Sequence, residues 1–496
     1  MRKVLLLTVS VLFCVLNASA QKRFEFNANC KEAYTAIVSL RTEYAKLLLT
    51  NEQRINPNNL IPVLLENYID FYDLFLNEDP AVYKKRFPLF EDRLDQLEDG
   101  PEDDPWYLFS RALVQFQTAA VEAKFDHNWS AGLSFRAAFL NFKENQKSFP
   151  AFLPNTLFRG AMQVAAGTIP DGYKWLANLM GIKGTVSDGM AQMNKVLNAT
   201  DEWSQLFREE GLFYQFYLKY YILNDRKEIF NSIQRELQKY PFNQLLLYLA
   251  VNLHLNTQHA DIALKLIQQR KNSREYLPTL VWDFEEGYAK LYHLDIDAVN
   301  HLEKYATQFK GKYYIKDVLL KISWYYYLNG NTAKAEKYRL EVLRRGSLAA
   351  EADKQAQKQA SNPKWPDPLL LKARLYSDGG YYMEALRLLF GKRYTDFKNT
   401  VDQIEFNYRV ARIYDELGRT EEAIPFYKLA IQQGRERTEY FAARSALQLG
   451  MLFEARGQLT EALKWYQECL DMDNHDYKNS LDQRAKAGVL RCGKTP

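Results

Sequence analysis

The chain has 496 residues, of which 47% are hydrophobic, 25% charged and 14% aromatic, with 22 Gly and 16 Pro. This apolar content excludes a disordered chain, and the Gly and Cys contents exclude collagen-like and disulfide-scaffold proteins. The low Pro content argues against an all-β protein with closely spaced turns. The length exceeds that of a single compact core, so we expect several domains or one extended solenoid.

Residues 1–20 have the pattern of a secretory signal peptide. A basic start is followed by an apolar run, Val4 to Leu16, and then by the small residues Ala18-Ser19-Ala20 that signal peptidase requires. We expect cleavage before Gln21 and a mature chain in an exported compartment. That compartment would be periplasmic or outer-membrane-associated in a bacterium, and secretory otherwise.

The charges of the mature chain are nearly balanced. Of the 65 basic residues, Arg2 and Lys3 lie in the predicted leader, which leaves 63 against 61 acidic residues. Nucleic-acid binding requires concentrated positive charge, so we expect no nucleic-acid partner. No later segment is long and apolar enough to predict a transmembrane helix, and peripheral membrane contact stays open.

Three cysteines follow the predicted leader: Cys30, Cys469 and Cys492. An odd number leaves at least one thiol outside any intramolecular disulfide. Cys469 and Cys492 lie on neighbouring predicted helices and could pair in an oxidising compartment. The alternative is three buried thiols, since cysteine is among the most buried residue types.

Residues 21–200 are predicted to form an N-terminal helical domain without a clean repeat. Amphipathic patterns cover 33–49, 60–76, 106–125 and 133–142. Residues 149–198 differ, because they carry few charges, several Gly and Met, and a break at 168–172. Interfacial helices need a basic polar face, so a buried hairpin is favoured for 152–193 over a helix on a membrane surface.

A periodic pattern marks the C-terminal third of the chain. Its two clearest copies share six offsets: Ala411, Tyr414, Gly418, Ala423, Tyr427 and Ala430, and then Gly450, Phe453, Gly457, Ala462, Tyr466 and Cys469. Partial copies occur at 373–389 and 323–342. The small first residue would let a second helix pack closely, and the glycine would end the first helix in the left-handed conformation. Each such hairpin buries too little surface alone and needs its neighbours.

This pattern resembles the tetratricopeptide repeat family, most strongly over about residues 365–473. The resemblance implies an all-α fold, an α-solenoid of antiparallel helix hairpins, with an irregular N-terminal helical block. We expect degenerate repeats at 201–346, an extra helix and linker at 347–368, and C-terminal repeats at 369–496. The order of segments also looks like that of the Iml2/tetratricopeptide-39 family over most of the chain.

No pattern in the sequence singles out a reaction. The string from Gly488 to Thr495 has the spacing of a phosphate loop, but it follows a predicted helix where a phosphate loop needs a strand. The histidines lack zinc-hydrolase spacing, and the acidic stretch 91–105 lacks calcium-loop spacing. We expect no enzyme activity, metal or cofactor, and an unrecognised hydrolase in the N-terminal block is the remaining enzymatic hypothesis.

The tetratricopeptide resemblance implies a module that holds a peptide or helix of a partner protein in a concave groove, lined by the first helix of each hairpin. By repeat position, the candidate contact residues are Trp324, Tyr327, Arg374, Tyr408, Arg412 and Arg444. The arginines could pair with an acidic ligand through bidentate hydrogen bonds. We expect an exported scaffold in an envelope or secretory-compartment complex. The 14% aromatic content suggests the alternative, a glycan- or small-ligand-binding helical protein.

Overall fold

The computed structural model describes residues 21–167, 185–223 and 228–493, which form α-helices joined by short loops. Within these ranges the only β-type pairing is an isolated bridge between Arg23 and Asn59. The predicted all-α class is therefore confirmed. The predicted signal peptide and the predicted break at 168–172 lie outside the described residues.

The described residues divide into two units. The N-terminal unit comprises 265–285, 304–312 and the described residues within 21–253, and the C-terminal unit comprises 254–264, 286–303 and 313–493. The helices of the N-terminal unit are α1 (Ala28–Val38), α2 (Thr42–Ile55), α3 (Ile61–Asn77), α4 (Pro80–Arg86), α5 (Pro88–Glu98), α6 (Pro105–Lys124), α7 (Asn128–Ser148), α8 (Pro154–Ala166), α9 (Val186–Leu197), α10 (Glu202–Leu206), α11 (Arg208–Tyr221) and α12 (Ile229–Lys239). The domain boundary at residue 200 stays a prediction.

The helices of the C-terminal half follow in order. Those with residues in both units are α13 (Gln244–Asn256), α14 (Ala260–Gln268), α15 (Val281–Tyr292) and α16 (Ala298–Gln308). Those of the C-terminal unit are α17 (Ile315–Leu328), α18 (Thr332–Arg344), α19 (Glu351–Ser361), α20 (Pro368–Gly379), α21 (Tyr382–Leu389), α22 (Thr400–Glu416), α23 (Thr420–Gly434), α24 (Phe441–Ala455), α25 (Leu459–Leu470) and α26 (Lys478–Cys492). None of the helices in the described ranges is both long and apolar enough to cross a bilayer.

Aromatic side chains fill the core of the N-terminal unit. The ring of Phe109 meets the rings of Phe158 and Phe207 edge to face, with centroids 5.7 and 5.5 Å apart. Trp106, one turn before Phe109 on α6, makes a further edge-to-face contact at 5.4 Å. Such pairs add about 0.5–1.5 kcal/mol each beyond the burial of their surface. Core packing thus accounts for much of the aromatic content in this part of the chain.

The glycines of the segment 149–198 allow two helices to approach closely. A Cβ added to Gly160 on α8 would lie 2.8 Å from the carbonyl oxygen of Gly189 on α9. The Cγ of Met193 lies 3.1 Å from the same position, and both Met193 and Met162 are buried. For the described parts of 152–193, this packing agrees with the buried-hairpin interpretation.

The C-terminal unit is built from stacked hairpins. From α22 to α26, each first helix contacts the second helix of its own hairpin and the first helix of the next hairpin. The predicted α-solenoid of antiparallel hairpins is confirmed by this order of contacts.

Repeat positions have the roles that their spacing predicted. Gly418 and Gly457 both have φ of +72° and end the first helices of their hairpins. A Cβ on Gly450 would lie 2.6 Å from the ring of Tyr466, and a Cβ on Gly488 would also collide with that ring. Tyr466 is therefore clamped between α24 and α26, which is possible only because both contact positions are glycine.

An extra helix, α19, packs against α17 and α18 and occupies part of the segment predicted to hold an added helix and linker. Its buried residue Asp353 accepts hydrogen bonds from the backbone N–H groups of Tyr314 and Asp317, at 2.7 and 3.1 Å. These N–H groups lie at the start of α17, where the helix itself supplies no acceptors. Asp353 thus caps α17 from a different helix.

The cysteines and the phosphate-loop-like string have structural roles. Cys30, Cys469 and Cys492 are all buried, and no disulfide joins them within the described residues. The structure therefore has the arrangement of the buried-thiol alternative. Gly488, which opens the string, lies inside α26 rather than before the start of a helix, in agreement with the expectation that the string is not a phosphate loop.

Candidate protein-binding surface

Side chains from the first helices of successive hairpins meet on one surface of the C-terminal unit. We call this set the first-helix surface; its members are Lys321, Trp324, Arg374, Glu405, Arg409 and Arg412. They come from α17, α20 and α22. Three of the members, Trp324, Arg374 and Arg412, are positions predicted to contact a partner.

Trp324 and Arg374, both predicted contact residues, touch each other across α17 and α20. The guanidinium carbon of Arg374 lies 4.9 Å from the centroid of the Trp324 ring, and the ammonium of Lys321 lies 4.2 Å from it. Trp324 is only 3% exposed. The ring therefore holds two cations in place through cation–π contacts and offers little surface of its own.

Arg374 keeps hydrogen-bonding capacity for an external group. Its side chain is 26% exposed, and the carboxylate of Asp378, one turn further along α20, lies 3.6 Å from its Nε. That separation is too long for a hydrogen bond. A guanidinium carries five N–H donors in a planar fork, which suits a carboxylate from a ligand.

The cations of α22 already have carboxylate partners. Arg409 is buried and donates from its Nε to Glu405 Oε1 at 2.6 Å. Arg412 pairs with Glu416 and lies 3.5 Å from Asp415. These pairs compensate buried charge, so Arg374 is the member of the surface best placed to meet a new anion.

Tyrosine rings extend the surface towards α24 and α26. The ring of Tyr408, a predicted contact residue, meets that of Tyr440 at 5.7 Å, and Tyr440 meets Tyr477 at 5.3 Å. Burial raises the pKa of both Tyr440 and Tyr477. The phenols therefore stay neutral at physiological pH and can donate hydrogen bonds.

A pocket of about 420 Å³ lies beside this surface, between α22 and α24. It is lined by Asp415, Thr420, Gln448, Met451, Leu452, Ala455 and Arg456. The Gln448 side chain is buried, and its Oε1 has no hydrogen-bond partner within the part of the chain that the structure describes. The pocket thus combines apolar walls from Met451, Leu452 and Ala455 with the polar side chains of Asp415 and Arg456.

The other two predicted contact residues have different surroundings. The ring of Tyr327 stacks on Trp365 at 4.5 Å, and its hydroxyl donates to the carbonyl of Pro366 at 3.1 Å. Tyr327 therefore fixes the linker before α20. Arg444 is half-buried on α24, one turn after Tyr440.

Lys321 and Arg409 of the first-helix surface were not identified from the sequence, and neither were Tyr440 and Tyr477, which extend it. A signal for the two tyrosines was present, because each stands at the N-cap position of a first helix, before α24 and α26. Arg409 follows Glu405 by four residues, the spacing of an intrahelical ion pair. No local pattern marks Lys321, whose role depends on the ring of Trp324.

The C-terminal repeat region matches a known protein family. Residues 402–475, which contain most of α22 and all of α23 to α25, match the tetratricopeptide repeat family. These residues are tetratricopeptide repeats. The resemblance predicted from spacing is therefore confirmed for this region, and the fold indicates a protein–protein interaction scaffold. The looser resemblance to the Iml2/tetratricopeptide-39 family stays a prediction.

Two further comparisons concern the whole chain. No curated protein matches it. The crystal structure of yeast Tom70 is similar at 13% identity, with 94% of this chain and 88% of that chain covered and a TM-score of 0.25.

Proposed function

We propose that this protein is a non-catalytic scaffold that holds a segment of a partner protein on the first-helix surface. The observation that carries the proposal is the state of Arg374. Its guanidinium is fixed over Trp324, is 26% exposed, and has its neighbouring carboxylate 3.6 Å away. A carboxylate from a partner would complete its hydrogen bonding at small entropic cost, because the side chain is already held.

The neighbouring features define the chemistry of the partner segment. The tyrosine rings supply apolar faces and phenol donors, and the pocket beside Met451 accepts an apolar side chain. The segment would therefore combine an acidic residue, facing Arg374, with an apolar residue, facing the pocket. A simple polyanion fits less well, because Glu405 and Asp415 lie on the same side.

A protein partner is favoured over a glycan by the positions of the aromatic rings. Sugar binding by stacking needs an open ring face, but Trp324 carries Lys321 and Arg374 on its ring. Tyr327 is stacked on Trp365. Neither ring is available as a stacking platform.

The predicted signal peptide supports a location outside the cytoplasm. We therefore place the scaffold in an envelope or secretory-compartment complex, periplasmic or outer-membrane-associated in a bacterium. Peripheral contact with a membrane is compatible with this location.

The proposal is tested by identifying partners and then measuring their affinity. Mature residues 21–496 are used to capture proteins from an envelope extract, and each captured protein is titrated by isothermal calorimetry. Arg374→Glu should weaken binding roughly tenfold or more, since it replaces an attraction with a repulsion. Arg387→Glu, on the exposed face of α21, makes the same charge change and should leave the affinity unchanged. Equal affinities for all three proteins would contradict the proposal.

A further inference from the structure

A cavity of about 210 Å³ lies in the N-terminal unit, lined by residues of α1, the start of α2, the start of α11, the end of α12 and the loop that follows α12. Its charged lining consists of two carboxylates, Glu32 and Glu209, and two cations, Arg41 and Lys239. The charge that remains available to a ligand depends on how these four groups are already paired.

Both cations of the cavity have carboxylate partners outside its lining. Arg41 donates to Glu275 Oε2 from its Nη2 at 2.9 Å and from its Nε at 3.1 Å. The Lys239 ammonium donates to Glu236 Oε1 at 2.9 Å. An anionic ligand would have to compete with these two carboxylates for the same cations.

The two carboxylates of the cavity have only neutral donors within the described part of the chain. Glu209 Oε2 accepts a hydrogen bond from Nδ2 of Asn243 at 2.6 Å, and Glu32 accepts one from the hydroxyl of Tyr44. Burial raises the pKa of Glu209, and the amide of Asn243 offsets this only in part. The cavity thus holds negative charge that a cationic ligand would compensate.

Asn243 fixes the Glu209 carboxylate at the cavity wall. Its Oδ1 accepts from the backbone N–H of Leu246 at the start of α13, at 2.8 Å, so its Nδ2 is directed towards Glu209. Asn243 is itself buried. Among the described residues no donor is bound to Glu209 Oε1, so this oxygen is available to an N–H group of a ligand.

Aromatic side chains supply the apolar part of the cavity wall: Tyr44, Tyr240 and Phe242. The Arg41 guanidinium covers one face of the Tyr44 ring, with its carbon 4.6 Å from the ring centroid. Phe242 is 54% exposed, and its carbonyl accepts from the hydroxyl of Tyr276 at 3.1 Å, which holds the loop in place. A hydrocarbon chain that enters the cavity would contact these rings.

We propose that this cavity binds a primary ammonium group carried on an alkyl chain, with Glu209 and Glu32 accepting its N–H groups and the rings contacting the chain. An ammonium has three N–H donors and no acceptor, which suits two carboxylates. The group would belong to a lysine side chain, which has a four-carbon stem, or to a free alkylamine. Calcium fits less well, since it takes about six to eight oxygen ligands, and no three acidic, histidine or cysteine side chains converge within the described residues.

The test uses residues 21–496 and three probes, whose binding is titrated by saturation-transfer NMR. The probes are n-butylamine, Nα-acetyl-lysine methylamide, and the same lysine derivative with its ε-amine acetylated. Both amines should bind, and the neutral derivative should not. Glu209→Gln should weaken both amines roughly tenfold or more, because it removes the charge and keeps the shape of the side chain. Tighter binding of the lysine derivative identifies a protein side chain as the ligand, and tighter binding of butylamine identifies a free amine.

Matched variants separate this proposal from its alternatives. Glu144→Gln removes the same charge from an exposed position on α7 and should leave the affinities unchanged. Thr35→Trp fills the cavity from an exposed position, keeps both carboxylates and should abolish binding, so it serves as the test if Glu209→Gln does not fold. Arg374→Glu should have no effect, so that failure here is distinct from failure of the first-helix surface. Absence of binding by both amines, equal binding of the neutral derivative, or undiminished affinity in Glu209→Gln would overturn the proposal.

Discussion

The buried carboxylate Glu210 gives the sharpest quantitative prediction. Its side chain is buried on α11 and accepts hydrogen bonds from the hydroxyls of Tyr34, Tyr68 and Tyr214, at 2.6, 3.1 and 3.0 Å. Burial raises the pKa of Glu210 to about 7, although the three phenols act in the opposite direction. Loss of hydration outweighs the hydrogen bonds because the three partners are neutral phenols rather than cations.

The shift sets the direction and size of a pH effect on stability. Below pH 4.5, the ordinary value for this carboxyl, the group is protonated in both the folded and unfolded states and contributes nothing. As the pH rises to about 7, the unfolded state loses its proton first, so the free energy of unfolding falls. At 1.36 kcal/mol per pH unit, the full loss is about 3 kcal/mol.

Glu210→Gln should remove this loss, because the amide is neutral at every pH and keeps the shape of the side chain. Urea unfolding of residues 21–496, followed by tryptophan fluorescence at pH 5 and pH 8, measures the effect. Between these pH values the variant should gain about 2.5 kcal/mol relative to the wild type, because part of the full loss has already occurred at pH 5. Glu285 is a parallel case, since burial also raises its pKa to about 7. In a double variant with Glu210→Gln, Glu285→Gln should add its own gain in the free energy of unfolding. If Glu210→Gln loses as much free energy of unfolding between pH 5 and pH 8 as the wild type does, this explanation is refuted.

Two further predictions concern helix capping and close packing. Asp353→Ala should destabilise the C-terminal unit by about 1–2 kcal/mol, because it leaves the N–H groups of Tyr314 and Asp317 without their acceptor; amide exchange at these two residues should accelerate. Gly450→Ala should destabilise it by about 1–3 kcal/mol, because the new methyl group would lie 2.6 Å from the Tyr466 ring; thermal unfolding measures this loss.

Each of these two predictions has a matched control. Asp353→Asn keeps one acceptor oxygen and should cost less than Asp353→Ala, and equal exchange rates in both variants would contradict the capping role. Tyr466→Leu makes room beside Gly450, so the double variant with Gly450→Ala should lose less stability than the sum of the single variants. Fully additive losses of stability would show that a clash with Tyr466 is not the reason that Gly450→Ala is destabilising.

Features that depend on local repeat spacing were predictable from the sequence. Gly418 and Gly457 end helices, and Gly450 accommodates Tyr466, because each relation lies within one hairpin and recurs at fixed offsets. The same spacing identified Arg374 and Arg412 as members of the first helices.

Features that join distant parts of the chain were not predictable. Glu210 meets tyrosines from α1 and α3, and no sequence pattern connects these helices. Contact of Trp324 with a partner stays a prediction, but the sequence did not indicate that its ring supports Arg374 from the next hairpin. That contact depends on how two hairpins stack, which the register of a single repeat does not determine. The predicted export signal stays a prediction.

The central claim is that the partner binds the first helices of the repeats, and site-specific photocrosslinking tests it most directly. A benzophenone side chain is introduced in residues 21–496 at Asp378 on the first helix α20, or at Glu384 on the second helix α21. Both native side chains are 38% exposed, so the two positions are matched in accessibility. In an envelope extract, one protein should crosslink at 378 and not at 384, and Arg374→Glu should abolish the product. Equal crosslinking at both positions, or a product at 378 that survives Arg374→Glu, would contradict it.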